Sequence, residues 1–543
     1  MYCDTPQVNQ LTSLLLAHGI HDVVVCPGSR NATIVHDLHE AGREAFCLHP
    51  VTDERSAAFV ALGITLATMR PAAVCVTSGS ALLNCLPAVA EAYYRHLPLL
   101  VVSADRPQAW IGQLDGQTLP QVGALMPYCA THAVGPIRCD DDRWRNNRTL
   151  NAALLSLADC GGRPAHINVA IEEPMFSFTT PSLPDERKVV MVEVTVKQPM
   201  PKEVVTMIAE ARLPALVVGQ YERGDIRSAV EALASDGQML VLPEIISDVA
   251  GNCLMEAFDA FAGTPEAPCP DVVVQVGGNF VHKHFKAALR KGCCKVVRVG
   301  EDYELTDTFC HLHTTIDAPA ADALEQLAAA LPRHNTRVEE TMMRLENIWA
   351  KLQEKLDEEH SSSDDTFTMR EALQTLRHTL ESTSASYALH LGNSSAVRAA
   401  GQVFASGQQP IFCNRGTNGI EGSLSSAVGY ALKMWGLSIA VVGDLSFFYD
   451  ANALWNTRLP ANLRILLLNN GHGGIFDHLP GLAASPARDE FIAAGGQQFT
   501  AEGIAQSYHI GYFRCTHQAD LVQTMEQWLA DADRAVILEI AVR

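Results

Sequence analysis

Residues 438–470 read SIAVVGDLSFFYDANALWNTRLPANLRILLLNN, and they carry the clearest structural pattern in the chain. Two short apolar runs, SIAVV and RILLL, flank a longer segment whose apolar residues have helical spacing. A strand, a helix and a second strand in this order are typical of a parallel βαβ unit, whose right-handed crossover places the two strands side by side. Polar residues close both runs, namely Gly443 and Asp444 after the first and Asn469 and Asn470 after the second.

These polar strand ends predict a metal site. Asp444 and Asn470 are 26 positions apart, and in an open α/β sheet ligands collect at the carboxyl ends of the strands. One carboxylate, one amide oxygen and a nearby backbone carbonyl would meet there. Such oxygen ligands suit Mg²⁺, which takes its remaining ligands from phosphate and water. Taken singly, each polar pair is also typical of an ordinary loop at a strand end.

The same alternation of apolar strands and helical segments extends over the whole chain, and it predicts an α/β fold of three doubly wound, parallel-sheet domains. We expect domains at residues 1–180, 190–350 and 366–543. The stretches between them are rich in Pro, Ser or charge, at residues 178–188 and 354–365, and are typical of linkers. Predicted strands lie at residues 21–26, 73–77, 99–103, 215–219, 239–243, 272–277, 295–299, 411–413, 438–442, 464–468 and 536–541.

Composition excludes several classes of protein. The 543 residues are 48% hydrophobic and 19% charged, which excludes disorder as the main state. Forty Lys and Arg against 61 Asp and Glu give a net charge of −21, which excludes a nucleic-acid binder held by overall charge. An anionic substrate would need a local cluster of Arg or Lys, because the net negative charge of the protein repels anions.

The cysteines and the N-terminus indicate a reduced, cytoplasmic protein. Most of the 15 cysteines lie in apolar runs, where cysteine behaves as a small core residue. The pieces CC, residues 293–294, and CHLH, residues 310–313, lack the paired spacing of a zinc site. The first residues show no signal peptide, and we expect no insertion into a membrane, because no run of about eighteen apolar residues occurs.

The pattern GD, a gap of some two dozen residues, then NN resembles the fingerprint of the thiamine-diphosphate enzyme superfamily. Leu445 stands where many members carry Gly. The superfamily needs a carboxyl group that hydrogen-bonds the aminopyrimidine ring of the cofactor, in a mostly apolar place that raises the pKa of the carboxyl. Glu54, in FCLHPVTDERSAAFVALGI at residues 46–64, follows a short strand and opens an apolar helix. By this resemblance Glu54 is the activating, catalytic residue, although an acid is also common at a helix N-terminus.

Several loops narrow the resemblance to one branch, the 2-succinyl-5-enolpyruvyl-6-hydroxy-3-cyclohexene-1-carboxylate synthases of menaquinone biosynthesis. They are VCPGSRN (25–31), TDER (52–55), TSGSALLN (77–84), SADRP (103–107), LGNSSAVR (391–398), NRGTNGIEG (414–422) and GDLSFFYD (443–450). That family joins 2-oxoglutarate to isochorismate with loss of CO₂. GDLS in place of GDGS is itself a feature of this branch.

The resemblance implies a set of site residues. The metal, Mg²⁺ or Mn²⁺, would be held by Asp444, Asn470 and His472. The thiamine diphosphate would contact Glu54, Gly392, Ile420, Gly443, Leu445 and Ser446, with Ile420 as the bulky residue that bends the cofactor. The alternative interpretation is that Ile420 is an ordinary core residue with no contact to a cofactor.

Both substrates are dicarboxylates, and Arg residues follow several predicted strands. Bidentate Arg–carboxylate contacts explain why Arg dominates over Lys. By resemblance, Ser29, Arg30, Arg106 and Arg415 would bind isochorismate. Ser394 and Arg398 would hold the distal carboxylate of the succinyl unit, and Gln117 would contact the covalent intermediate. Lys283 is a further candidate, although His284 stands where the family has Arg.

The family architecture implies that Glu54 and Asp444 face each other across a subunit interface, in a homodimer or homotetramer. Three alternatives stay open at this point. One is another thiamine-diphosphate carboligase or decarboxylase of the acetolactate-synthase type. The second is a catalytically silent paralogue that binds the cofactor. The third is a flavin- or nucleotide-binding protein, although the middle of the chain has no strong phosphate loop.

Overall fold

The computed structural model describes residues 1–192, 198–251, 254–265, 267–301, 305–358, 367–383, 385–456, 458–479, 481–496, 498–531 and 533–542. Within these ranges the chain forms three α/β domains, each built on a β-sheet whose paired strands are all parallel. The fold predicted from the sequence is therefore confirmed.

The first domain has a six-stranded sheet. Its strands are β1 Asp22–Val25, β2 Cys47–Pro50, β3 Ala72–Val76, β4 Leu99–Asp105, β5 Thr131–Val134 and β6 Ala165–Ala170. They pair in the order β2-β1-β3-β4-β6-β5. Its helices are α1 Pro6–Ala17, α2 Ala32–Glu40, α3 Glu54–Thr68, α4 Ser80–Asn84, α5 Leu86–Arg95 and α6 Asp140–Ser156.

The middle domain has a five-stranded sheet. Its strands are β7 Pro214–Val218, β8 Leu240–Pro243, β9 Val272–Val276, β10 Lys295–Gly300 and β11 Leu312–Asp317. They pair in the order β11-β10-β9-β7-β8. Its helices are α7 Lys202–Ala209, α8 Arg227–Ser235, α9 Leu254–Phe261, α10 Lys283–Lys291, α11 Ala320–Ala330 and α12 Thr336–Glu358.

The third domain has a six-stranded sheet again. Its strands are β12 Tyr387–Leu391, β13 Ile411–Cys413, β14 Leu437–Gly443, β15 Leu463–Asn469, β16 Gly511–Cys515 and β17 Val536–Ala541. They pair in the order β13-β12-β14-β15-β17-β16. Its helices are α13 Met369–Glu381, α14 Ser395–Gly401, α15 Ser423–Ala431, α16 Asp444–Tyr449, α17 Glu502–Ser507 and α18 Leu521–Ala530.

Apolar strands and close helix packing hold the domains together. Every residue of β3, β7 and β9 is buried, as expected for parallel strands covered on both faces. Helices α3 and α15 join the first domain to the third and contribute to one shared apolar core. A Cβ on Gly63 would lie 2.0 Å from the Ser426 carbonyl oxygen, and one on Gly429 would lie 2.0 Å from the Val60 carbonyl oxygen. The two helices can approach this closely only because both positions are glycine.

The helix predicted between β14 and β15 is shorter than its apolar spacing indicates. Helix α16 ends at Tyr449, and a short 3₁₀ turn, Ala451–Leu454, follows it. The fully buried Asp450 accepts hydrogen bonds from the Ser425 backbone N–H and hydroxyl, both at 2.8 Å. Because this carboxylate caps α15, the chain turns away from the axis of α16.

The predicted linker at residues 178–188 lies along the first domain without helix or strand. Glu186 pairs with Arg143 at 2.5 Å and accepts hydrogen bonds from Gln10 and Asn147. In the second predicted linker, α12 extends to Glu358, and residues 359–366 lie outside the described residues. The domain boundaries stay a prediction. Over the described ranges, every helix is too short or too polar to cross a membrane.

Candidate active site

The carboxyl edge of the third sheet brings the predicted metal and anion-binding residues into one row. The adjacent strands β13, β12, β14 and β15 all run in the same direction, so their carboxyl ends lie about 4.8 Å apart from one to the next. Asp444 directly follows β14, and Asn470 directly follows β15. Arg415 follows β13, and Ser394 and Arg398 follow β12.

Asp444 has the properties of a metal ligand. Its side chain is 3% exposed, and its Oδ2 atom is the one buried carboxylate oxygen of the described residues that has no hydrogen-bond partner. Burial raises the pKa of Asp444, and the backbone N–H groups of Leu445 and Gly471 act in the opposite direction. An unpaired buried carboxylate oxygen is costly unless a cation or donor meets it. The donor set at this strand end therefore fits a divalent cation.

Asn470 and His472 lie on the loop after β15. The Asn470 side chain packs against Gly474, where a Cβ would lie 2.8 Å from its Nδ2 atom. The imidazole of His472 is engaged at both nitrogens, with the Asn470 carbonyl at 3.0 Å and the Asp477 carboxylate at 2.7 Å. This hydrogen bond to Asp477 raises the pKa of His472. The ring is therefore occupied, whereas the His472 carbonyl accepts only the Gly474 N–H at 3.0 Å among the described contacts and has a second lone pair for a metal.

The predicted cofactor-binding residues surround the same strand ends. The Ser446 hydroxyl donates to the Ile420 carbonyl at 2.7 Å, which ties the start of α16 to the loop before α15. Gly392 donates to the Val441 carbonyl at 2.8 Å, and a Cβ on Gly392 would lie 3.3 Å from that oxygen. The side chain of Ile420 is 38% exposed, so it is no ordinary core residue. Gly443 and Leu445 are half-buried beside Asp444.

Arg398 and Arg415 form a cationic pair at this edge. Arg415 is 7% exposed and donates to Asn393 Oδ1 at 3.0 Å and to the Phe280 carbonyl at 3.2 Å. Arg398 donates to the carbonyl of Ser394 at 2.5 Å. Burial and the charge of Arg415 lower the pKa of Arg398. A carboxylate bound here would relieve the repulsion between the two guanidinium groups.

A second group of predicted residues lies in the first domain. Arg30 and Arg106 both reach Glu173 Oε1, at 3.0 and 3.6 Å. Arg106 also pairs with Asp115 at 3.5 Å. Glu173 is exposed, so a substrate carboxylate that binds these arginines would compete with it. Gln117 donates to the Ser78 carbonyl at 3.1 Å, and Ser29 is exposed at the end of β1.

Glu54 is the first residue of α3, as its position in the sequence predicts. Asp53 caps the helix by accepting the Ser56 N–H at 2.8 Å. Glu54 is half-buried, and its Oε2 atom accepts a hydrogen bond from Asn84 at 3.1 Å. Among the described contacts of the chain, no hydrogen bond joins Glu54 to Asp444 or Asn470. Its neighbours Asp53 and Arg55 bond to Asn452 and to the Tyr449 carbonyl, at the end of α16 of the same chain.

Lys283 lies three residues after Phe280, whose carbonyl accepts a hydrogen bond from Arg415. It is exposed at the start of α10, and the neighbouring His284 forms a hydrogen bond with Asp259 at 3.2 Å. Lys286, one turn further along, lies closer to Arg415, and burial followed by the charge of Arg415 lowers its pKa.

Sequence reasoning missed the buried polar residues that support these loops. Glu91 accepts hydrogen bonds from the loop that carries Arg415, and Asn393 donates to the carbonyls of Asn414 and Gly419, both at 2.6 Å. A signal existed for Glu91, since an acid within the apolar helix LPAVAEAYYR with Arg95 one turn later is unusual.

Asp22, Cys47 and His49 form a further cluster whose side chains could hold a metal. It lies on β1 and β2, toward the amino ends of the strands of the first sheet, away from the carboxyl ends where the predicted site lies. The Lys433 ammonium pairs with Asp22, and His49 bonds to Asp22 at 2.9 Å. A protein cation thus already neutralises this carboxylate.

Comparison with known proteins adds independent information. The sequence model of the family described as "Thiamine pyrophosphate enzyme, N-terminal TPP binding domain" matches residues 8–124. The chain is 40% identical to the 2-succinyl-5-enolpyruvyl-6-hydroxy-3-cyclohexene-1-carboxylate synthase of Bacteroides fragilis, over 97% of this chain and 94% of that protein. It is 38% identical to the protein of the same name from Phocaeicola vulgatus, over 99% and 96%. For the one from Desulfotalea psychrophila the identity is 32%, over 98% of both chains.

Proposed function

The chain belongs to the family of 2-succinyl-5-enolpyruvyl-6-hydroxy-3-cyclohexene-1-carboxylate synthases, and on this premise we propose that it joins 2-oxoglutarate to isochorismate with loss of CO₂. The reaction belongs to menaquinone biosynthesis. The protein is a thiamine-diphosphate-dependent transferase that acts in the cytoplasm. The observation that carries the proposal is the row of side chains along one sheet edge, with Asp444 and Asn470 beside the paired Arg398 and Arg415.

The residues at this edge fit the cofactor and its metal. Asp444, Asn470 and the carbonyl of His472 would hold Mg²⁺ or Mn²⁺, whose remaining charge binds the diphosphate. Bound thiamine diphosphate supplies a nucleophilic carbon and an electron sink for decarboxylation. Gly392, Ile420 and Ser446 shape the surface on which it rests.

Glu54 has the role of exchanging a proton with the aminopyrimidine ring. One of its carboxylate oxygens is bonded to Asn84, which fixes the side chain in one orientation. The other oxygen has no described partner and is free to meet a ring nitrogen. General acid–base catalysis of this kind contributes about 10²–10⁴-fold in rate.

The arginines select dicarboxylates. Arg398, with Ser394, binds the distal carboxylate of 2-oxoglutarate, and Arg415 with the first-domain group of Ser29, Arg30 and Arg106 binds isochorismate. Gln117 would contact the reacting atoms between them.

The site is completed by a second copy of the chain. By the architecture of the family, Glu54 would lie opposite Asp444 of a partner in a homodimer or homotetramer.

The decisive experiment is turnover with Mg²⁺ and thiamine diphosphate. We expect product from 2-oxoglutarate and isochorismate, and little from pyruvate and isochorismate. Equal or greater turnover with pyruvate would contradict the proposal and favour an acetolactate-synthase-type carboligase.

A further inference from the structure

The loop that carries Arg415 is held by a carboxylate from a different domain. Glu91, on α5 of the first domain, is completely buried. It accepts the backbone N–H of Gly416 at 2.9 Å, the backbone N–H of Thr417 at 2.7 Å and the hydroxyl of Thr417 at 3.0 Å. Three hydrogen bonds to one buried carboxylate form a strong contact, since bonds to charged acceptors are about twice as strong as neutral ones.

Glu91 is part of a buried ionic group that extends to the middle domain. Arg95, one turn along α5, lies 3.6 Å from Glu91 and pairs with Glu222 of the middle domain. Its Nη1 atom donates to Asn414 Oδ1 at 2.9 Å. The side chains of Arg95 and Glu91 are at most 1% exposed. Helix α5 therefore holds the loop on both sides of Arg415, at Asn414 and at Gly416.

The loop has no room to shift toward α5. A Cβ on Gly416 would lie 2.8 Å from the Glu91 carbonyl oxygen and 2.9 Å from its carboxylate. From the other side, Asn279 of the middle domain donates to the Arg415 carbonyl at 2.7 Å. The backbone of Arg415 is thus held between two domains, and from that position its guanidinium group reaches Asn393 Oδ1 and the Phe280 carbonyl.

We propose that Glu91 is a positioning residue for Arg415, which orients the guanidinium group for the carboxylate of the ring substrate. This inference rests on the proposed function, in which Arg415 belongs to the isochorismate side. Glu91 acts through the loop backbone and touches neither substrate. Its loss should weaken isochorismate recognition selectively and leave the reaction of 2-oxoglutarate nearly unchanged.

The test is the variant Glu91→Gln. Its amide keeps the size of the side chain but presents an NH₂ group to one of the backbone N–H donors, so one hydrogen bond is replaced by a repulsive contact. We expect the KM for isochorismate to rise about tenfold, the effect of one unsatisfied buried donor. The KM for 2-oxoglutarate, and its decarboxylation without isochorismate measured with ferricyanide as electron acceptor, should change less than about twofold.

The milder variant Thr417→Val removes only the hydroxyl donor and keeps the test valid if Glu91→Gln fails to fold. It should also raise the KM for isochorismate, by about threefold. The matched control is Asp37→Asn, because Asp37 is also a fully buried carboxylate of the first domain that accepts a backbone N–H, from Cys3 at 2.7 Å, far from the loop. It should lower stability without changing the ratio of the two KM values.

The outcomes separate the inference from the proposed function. A wild-type protein that shows no isochorismate-dependent turnover contradicts the proposed function itself. If the wild type turns over and folded Glu91→Gln or Thr417→Val shows an unchanged isochorismate KM, or an equal rise for both substrates, Glu91 does not position Arg415.

Discussion

At the scale of single residues, the most informative atom is Asp444 Oδ2, which is buried and unpaired. We expect Asp444→Ala to abolish retention of thiamine diphosphate and Mg²⁺ while the fold persists, because the site loses its one charged ligand. Calorimetric titration with cofactor and Mg²⁺ measures the change. Asp450→Asn is the matched control, since Asp450 is equally buried but accepts two hydrogen bonds from Ser425. Unchanged cofactor affinity in Asp444→Ala would place the metal elsewhere.

Arg398 is expected to determine the choice of 2-oxo acid. The side chain of Arg398 is only partly buried. Arg398→Ala should therefore weaken transition-state binding of 2-oxoglutarate by about 2 kcal/mol, the lower end of the range for removing one partner of a buried charge pair. That corresponds to about a 30-fold loss in kcat/KM for 2-oxoglutarate. Pyruvate lacks the distal carboxylate and should be nearly unaffected.

The measurement for Arg398 is kcat/KM for both 2-oxo acids at fixed isochorismate. Arg398→Lys keeps the charge but loses the planar fork, so it should fall between wild type and Arg398→Ala. If kcat/KM falls by the same factor for both 2-oxo acids, Arg398 does not bind the distal carboxylate.

At the scale of helices and strands, the contact between α3 and α15 joins the helix of Glu54 to the loop of Ile420. We expect Gly63→Ala to destabilise the protein by about 1–3 kcal/mol or more, since the added methyl group would overlap the Ser426 carbonyl. Gly503→Ala in α17 is the matched control, because a Cβ there meets no atom within 4 Å.

Thermal unfolding of the two glycine variants gives the comparison directly. Gly503→Ala should raise the stability slightly, by up to about 1 kcal/mol, since alanine is the better helix former. If both variants unfold at the same temperature as the wild type, the helices tolerate a wider separation than the structure indicates.

The sequence predicts strands well where they are continuous apolar runs, including the edge strands β8 and β13, but it misses the buried central strand β6. Strands such as β9 and β15 are continuous apolar runs because both of their faces are covered. The edge strands β5 and β16 are partly exposed and lack that pattern, and neither was predicted. The helical spacing after β14 also overestimates α16, since the cap formed by Asp450 is a contact between separate segments.

The same reasoning applies to the candidate site. Asp444, Asn470 and Glu54 could be placed from the sequence, because strand ends and helix starts fix their positions locally. Glu91 stands out as an acid in an apolar helix, but its partners could not be predicted, since they lie 325 and 326 positions further along the chain. Contacts of such sequence separation leave no local pattern.

At the scale of the whole molecule, the predicted assembly places Glu54 and Asp444 of one site on different chains. Glu54→Gln and Asp444→Ala should each be nearly inactive alone. When the two variants are co-expressed, half of the dimers are mixed and each mixed dimer holds one intact site, so activity should recover to about a quarter of wild type.

Co-purification through two different affinity tags isolates the mixed dimers, which should have about half of the wild-type activity per dimer. The control is a mixture of the two purified variants under conditions without subunit exchange, which should remain inactive. No recovery in the mixed dimers would mean that Glu54 and Asp444 act within one chain.

The stretch at residues 178–188 has a consequence for dissecting the protein by truncation. Lys188 donates to the Ala17 carbonyl at 2.8 Å, and the Glu186 carboxylate is bonded to both α1 and α6. A first-domain fragment that stops at residue 180 would remove the Glu186 carboxylate that accepts hydrogen bonds from Gln10 and Asn147. A fragment extended through Val189, whose N–H donates to Asn151 at 2.7 Å, keeps these contacts intact and is the one expected to remain soluble.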